Sequence, residues 1–388
     1  MRIYLDHNST TPVEPAVADA VDRAVRNYFG NASSVHSFGQ IAKTALDQAR
    51  SDVAALISAK PTEVVFTSGG TESDNLAIRG TAEAVLPTGR RHLIASSIEH
   101  EAVLNTLKAL SKRDWTTELL PVGPSGVVNP SDLEKAITNE TSIVSVMHAN
   151  NEIGTLQPIA KLAAISHEHG ALFHTDAVQT AGKHPIDVVQ LDVDLLSISA
   201  HKFNGPKGVG ALWIRRGARL ISPMTGGRQE RNRRPGTENV PAIVGLGVAA
   251  RLATEKLAGE ISRVGYLRDR LEESVIDRVP NTTVNGNGAR VPNTTNISFD
   301  GVEAEALLIA LDLDGIAVST GSACSSGTLE PSHVLKSMGL TPQRAQSSIR
   351  FSLGLGNTDD DITRTIDVLP GVVAKLRSLS HANTYAKR

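Results

Sequence analysis

The chain has 388 residues, 40% of them hydrophobic and 21% charged, with a formal net charge of −2. That length allows two or three domains with a large core, and the near-neutral charge argues against nucleic acid or a charged membrane surface as partner. Its single cysteine, Cys324, excludes an internal disulfide framework and cysteine-rich metal sites and suits a reducing compartment.

The first residues, "MRIYLDHNSTTP", lack the basic and apolar regions of a signal peptide. The longest uncharged apolar stretch, around 240–250, is too short to span a bilayer. A soluble cytoplasmic protein is expected. Short β-branched runs then alternate with helical patterns. "EVVFTSGG" leads into "TESDNLAIRGTAEAV", "RHLIASSI" into "EHEAVLNTLKAL", and "TSIVSVMHANN" precedes "IAKLAAISHEHG". "ALFHTDAVQ", "VDLLSISAHK" and "VGALWIRR" follow as strands, which predicts a mostly parallel sheet with helices on both faces. Ile261, Val264, Leu267, Leu271 and Val275 then mark one long amphipathic helix. It ends at the turn-rich "RVPNTTVNGNG", read here as a domain boundary. A smaller α/β unit is expected beyond it, with its terminal helix kinked or broken at Pro370 and Gly371.

In open α/β sheets ligands sit at the carboxyl ends of the strands. After "VVF", the run Thr67, Ser68, Gly69, Gly70, Thr71 opens a helix, and such a turn aims backbone N–H groups at an anion. Without a lysine it is no nucleotide P-loop, and alone it reads better as a tight turn capped by Thr71. "ALFHT" ends in Asp176 with Gln179 three residues on, a carboxylate for a cationic ring nitrogen and an amide for a ring oxygen. Ser199 and His201 share one face of an extended segment, and Lys202 follows at its end. Together these features describe a ligand with a phosphate, a basic ring nitrogen and an aldehyde. Pyridoxal 5′-phosphate has those parts.

"SGGTESDNLAI", "HANNEIGTLQPI", "FHTDAVQTAGK", "SISAHKFNGPKGVGALW", "RRPGTEN", "GSACSSGTLEPSHVL" and "SSIRFSLG" resemble the cysteine desulfurases of the nitrogen-fixation and iron–sulfur-cluster type. These are fold-type I, class V aminotransferase-like enzymes, and the resemblance covers nearly the whole chain. It implies an α/β fold: a large pyridoxal-phosphate-binding domain over 15–255 with a mostly parallel, seven-stranded sheet. Residues 1–14 and 256–388 would form the small domain.

The resemblance further implies that Lys202 bonds the cofactor aldehyde, Asp176 pairs with its ring nitrogen and Gln179 with its ring hydroxyl. Gly70, Thr71, Ser199 and His201 would bind the phosphate, and Thr237 would reach it from the other subunit of a homodimer. His100 would stack on the ring and assist proton transfer. Asn151 and Arg350 would grip the carboxylate of L-cysteine, the planar guanidinium pairing bidentately. Asn31 and His36 belong to the family's N-terminal active-site segment. Cys324 would take the sulfur as a persulfide and pass it to an acceptor protein, such as an iron–sulfur scaffold or a tRNA-thiolation partner. No intrinsic metal is implied, although Cys324 could share a cluster with a scaffold. Pro235, "NASS" and the Pro370–Gly371 pair depart from the family pattern.

Competing readings are weaker. "GLGVAA" matches a dinucleotide fingerprint but lies inside a predicted helix, where close packing explains its small residues. "RQERNRRPG" reads as a solvated rim or dimer loop rather than an RNA contact. The alternative functions are a selenocysteine lyase or another class V aminotransferase-like enzyme of the same fold, and a non-enzymatic sulfur carrier or scaffold.

Overall fold

The computed structural model describes residues 2–321 and 331–385. Cys324 lies outside the described residues.

Seven strands form the main sheet: β2 (Val64–Thr67), β3 (His92–Ser96), β4 (Thr116–Leu120), β5 (Thr141–Ser145), β6 (Leu172–Asp176), β7 (Leu195–Ser199) and β8 (Gly210–Ile214). β1 (Ile3–Tyr4) lies elsewhere, paired in parallel with β11 (Ile316–Ala317). The main-sheet order is β2-β8-β7-β6-β5-β3-β4. The run from β7 to β4 is parallel, while β8 pairs antiparallel with both β7 and β2. Every residue of β3, β5 and β7 is buried, as expected of parallel strands covered on both faces. Their carboxyl ends therefore line up along one edge, and the loops after them face a common crevice.

Helices α1 (Pro15–Asn27), α2 (Ser37–Leu56), α3 (Gly70–Val85), α4 (Glu101–Ser111), α5 (Pro130–Ala136) and α6 (Ile159–Glu168) belong to this first half of the chain. A one-turn segment, α7 (Gln229–Asn232), precedes α8 (Val240–Arg278), a helix of 39 residues. At 1.5 Å per residue α8 is roughly 58 Å long, enough to serve two cores. Its first half buries Ile243, Leu246 and Ala250 in the core under the main sheet. Its second half buries Val264, Leu267, Leu271 and Val275 in a separate core with Ile3, Leu5 and the C-terminal elements. The "GLGVAA" run is a packing seam: a Cβ on Gly247 would lie 2.5 Å from Ala49 Cα of α2.

The second sheet orders β12 (Ser348–Ser352), β10 (Thr294–Phe299) and β9 (Thr282–Val284) antiparallel. Two sequence expectations change here. The turn-rich "RVPNTTVNGNG" is not a boundary, because its β-branched "TTV" is β9, an edge strand of this sheet. Of the kink or break expected at Pro370, the break does not occur. After α9 (Ala304–Leu313), α10 (His333–Ser337) and α11 (Pro342–Gln346), α12 runs from Asp359 through Pro370 to Tyr385. Proline in a helix interior costs about 3 kcal/mol. Ile362, Ile366, Leu369 and Val373 bury one continuous stripe on either side of it. At roughly 1.5–3 kcal/mol for each fully buried side chain, that stripe outweighs the loss.

Candidate active site

The glycine turn after β2 is shaped by what its glycines leave out. Gly69 has φ +153°, and a Cβ on Gly70 would come within 2.9 Å of Val178 Cγ2. Ser199, at the end of β7, lies 3.7 Å from each of these added carbons. Gly210 closes the back: a Cβ there would meet Gly69 Cα at 2.8 Å. The result is a narrow cradle at the N-terminus of α3, with Thr71 exposed in its first turn. Glu72 stiffens it by accepting from Ser68 N–H (2.8 Å) and from Arg234 Nε (2.8 Å).

Asp176 ends β6, buried, with Oδ1 accepting from Val178 N–H at 2.8 Å. Burial pushes its carboxyl above the usual range, while the Val178 N–H and the nearby His100 and Lys202 pull the other way. Lys202 closes the turn after β7, and its Nζ donates to the backbone carbonyls of Asn8 (2.5 Å) and Ser9 (2.8 Å). Gln179 Nε2 donates to the same Asn8 carbonyl at 3.0 Å, and its Oε1 accepts from Lys183 Nζ at 3.0 Å. His201 shares a hydrogen bond with Thr10 Oγ1 (3.1 Å). Burial and the lysines Lys202, Lys207 and Lys183 lower its imidazole to about 4, so it is neutral at pH 7.

Arg350 rises from β12 into the same region. Its Nη1 donates to Asn151 O (3.1 Å), and its Nη2 donates to Asp6 Oδ1 (2.6 Å) and Ser9 Oγ (2.7 Å). Asn8 Nδ2 donates to the same Asn151 carbonyl at 3.0 Å. A continuous hydrogen-bonded path therefore runs from Arg350 through Asn151 and Asn8 to Lys202 and Gln179. His100 caps α4, its Nδ1 accepting from Ala102 N–H (3.1 Å), and its ring is exposed.

Three candidates lie apart from this group. His36 caps α2, accepting from Gly39 N–H at 3.3 Å, and Asn31 Oδ1 accepts from Ser33 N–H at 2.9 Å. Asn31 and Thr237 line a surface hollow of about 370 Å³ together with Tyr28, Phe29 and Pro241.

A family model for class-V aminotransferases matches residues 3–365. The cysteine desulfurase IscS of Dictyoglomus turgidum is 49% identical over 379 residues, covering 97% of this chain and 96% of that relative. A solved NifS-like protein superposes with a TM-score of 0.91 at 36% identity, over 97% of this chain and all of that one. A structure of SspA in complex with cysteine gives 0.80 at 35% identity, over 91% of this chain and 99% of that one. The chain belongs to the class-V aminotransferases, in their cysteine desulfurase branch.

Enzymes of this family work with pyridoxal 5′-phosphate, and the residues at the strand ends fit that group. The Gly69–Gly70 cradle offers backbone donors where a Cβ would intrude, beside the Ser199 hydroxyl and a neutral His201. Asp176, its carboxyl raised by burial, is a good proton acceptor for a ring nitrogen. Lys202 carries a primary amine that the group's aldehyde would need.

The desulfurase sequence hides other members of the site. Asn8, 2% exposed, touches Lys202, Lys183, Gln179, Asn151 and Thr294, and no local pattern in "YLDHNSTTP" signals it. Lys183 stands four residues after Gln179 in the turns that follow β6, where no helical periodicity relates the two. Glu99 is wholly buried, its Oε1 accepting from Met147 N–H (2.8 Å) and Ser96 Oγ. Burial raises its carboxyl to about 8. Asp74, also buried, is raised well above the usual range by burial and then by Asp176. Glu152 accepts from Ser332 Oγ at 2.5 Å, and its Oε2 would lie 3.0 Å from a Cβ on Gly321. It therefore touches the last described residue before Cys324 and the start of α10 after it.

Proposed function

We propose that this protein is the desulfurase that converts L-cysteine to L-alanine and carries the released sulfur as a persulfide on Cys324. One observation supports this reading above the rest. The Lys202 amine and the buried Arg350 guanidinium stand at opposite ends of one hydrogen-bonded path, Asn8–Asn151, in a crevice that also holds Asp176. An amino acid presents a carboxylate, an amino group and a Cα proton, and those groups need a cation, a carbonyl chemistry and a base in this order.

Gly70, Thr71, Ser199 and His201 would hold the pyridoxal phosphate by its phosphate, with Asp176 and Gln179 on its ring and Lys202 on its aldehyde. When bound, the group supplies an electron sink for carbanion development at Cα. Arg350 and Asn151 orient the substrate carboxylate. Lys202 takes the Cα proton and returns a proton to the product, and His100, exposed beside Asp176, exchanges protons with the substrate thiol. The Cys324 thiolate then attacks the substrate sulfur. The C–S bond breaks, an S–S bond forms, and alanine leaves, so that L-cysteine and one thiol become L-alanine and one persulfide.

The two units, 15–255 and 1–14 with 256–388, are the domain division that accompanies this reading. A homodimer accompanies it too. Phe29, 72% exposed, and Val35, 93% exposed, flank the α1–α2 connection, and a second copy would remove them from water. Asn31, His36 and Thr237 would then serve the partner's site. The location is taken as the cytoplasm; among the described residues no helix is long and apolar enough to cross a membrane. An iron–sulfur scaffold or another sulfur carrier is the acceptor.

The test is Cys324→Ala. The purified variant should keep the yellow cofactor bound while alanine and sulfide formation from L-cysteine collapses. Undiminished turnover in that variant would sink the assignment.

A further inference from the structure

Arg350 is 3% exposed in its side chain and meets a carboxylate of this chain, that of Asp6, at 2.6 Å. The backbone of Asp6 is fixed in place, which keeps its carboxylate within reach of Arg350. Asp6 bridges to Ser352, the last residue of β12, and His7 N–H donates to Ser352 O at 3.0 Å. The Ser9 hydroxyl donates to Asp6 Oδ1 at 2.9 Å and accepts from Arg350 Nη2 at 2.7 Å. Nη1 is held by the Asn151 carbonyl. Among the described residues, the guanidinium Nε, itself buried, meets no acceptor. An α-carboxylate pairing side-on needs Nε together with Nη2, and Nη2 is the nitrogen that Asp6 holds.

We propose that Asp6 is an internal competitor for Arg350, a built-in carboxylate that the substrate carboxylate must displace or share Nη2 with. This rests on the desulfurase reading above. Asp6 neutralises the one buried cation that recognises the amino acid, so the incoming carboxylate meets a neutral pair and a like charge. Asp6 is therefore a specificity-determining residue that keeps amino-acid binding weak and reversible. A plain brace would do the reverse, since removing it would let Arg350 wander and would weaken binding.

The sign of one measurement separates these roles. In the holoenzyme, Asp6→Asn should lower KM for L-cysteine by roughly tenfold, the scale of removing one like charge from a largely desolvated pair. The dissociation constant of L-alanine, read from the cofactor absorbance, should fall in parallel. Cysteamine, which lacks the carboxylate, should bind as it does to the wild type. Asp6→Glu, which keeps the charge, should restore the wild-type KM. An unchanged or raised KM in Asp6→Asn, or equal shifts for L-alanine and cysteamine, overturns the proposal. Asp6→Ser provides a second neutral variant with the same expected direction. If neither neutral variant folds, Asp6 is a brace and the proposal falls. Wild-type enzyme that makes no alanine from L-cysteine instead overturns the desulfurase reading on which the proposal stands.

Discussion

Lys183 and Lys202 converge on a single asparagine: Lys183 Nζ reaches Asn8 Oδ1 at 3.3 Å, and Lys202 Nζ reaches the Asn8 carbonyl at 2.5 Å. Two amines beside one neutral residue is an arrangement that disfavours a second positive charge. Burial first, then Lys202 and Arg350, push the Lys183 amine well below its ordinary value of 10.5.

The sign of its effect on stability follows. Folded Lys183 loses its proton at lower pH than unfolded Lys183, so between the two values the unfolded chain binds more protons. Stability therefore rises with pH through that window, by up to about 1.4 kcal/mol per pH unit for one proton. Lys183→Met should flatten the rise. Urea midpoints of the holoenzyme and the variant, taken between roughly pH 7 and 10, check this; identical slopes would contradict it.

Glu99 works in the opposite sense. Its carboxyl is raised from 4.5 to about 8, with burial the largest cause. The folded chain holds the extra proton between these values, so stability falls as pH rises from about 4.5 to 8. Glu99→Gln copies the protonated acid, keeping an oxygen for Ser96 and Met147. The variant should match the wild type near pH 5 and be the more stable of the two at pH 8. Thermal unfolding at both pH values decides it, and a variant less stable at pH 8 would count against a neutral Glu99.

Gly210 tests the cradle through its backbone. A Cβ there would lie 2.5 Å from Ile198 O and 2.8 Å from Gly69 Cα, neither of which can swing aside like a side chain. Gly210→Ala should cost about 1–3 kcal/mol by overpacking. It should also displace Gly69, so that pyridoxal phosphate is released faster on dialysis while phosphate-free pyridoxal is affected little. Equal retention of the phosphorylated cofactor in variant and wild type would detach the cradle from phosphate binding.

Glu230 sits in a run of left-handed residues, Glu230, Arg231 and Asn232, with φ of 44°, 59° and 65°. Its side chain holds that run in place. Arg50 donates two hydrogen bonds of 2.7 Å to it, and Phe66 N–H a third of 2.9 Å. Arg50→Met leaves a buried carboxylate unpaired and should cost about 3–5 kcal/mol. Differential scanning calorimetry should show the loss, and Glu230→Gln in the Arg50→Met background should recover part of it.

Much of this was legible in the sequence because it obeys local rules. The parallel strands announce themselves as β-branched runs, and strand ends carrying Gly70, Asp176 and Lys202 point to a common crevice. The residues that escape notice are those whose role depends on long-range contact. Asn8 and Asp6 follow the two-residue strand β1 and meet partners from Lys183 to Arg350, and no periodicity connects them. Glu99 and Asp74 look like ordinary helix-end carboxylates until the fold buries them. The break expected at Pro370 misjudged the balance between one lost hydrogen bond and a buried stripe from Ile362 to Val373. The boundary expected at "RVPNTTVNGNG" mistook a short edge strand for a linker, because three residues carry too little pattern to compete with the turn signals around them.

The central claim is that sulfur from L-cysteine comes to rest on Cys324, and peptide mass spectrometry of the holoenzyme after brief exposure to L-cysteine reads it directly. The account predicts that the peptide containing Cys324 gains the mass of one sulfur atom, that the gain disappears on reduction, and that Lys202→Ala prevents it. An unmodified Cys324 in enzyme that is forming alanine would contradict the account.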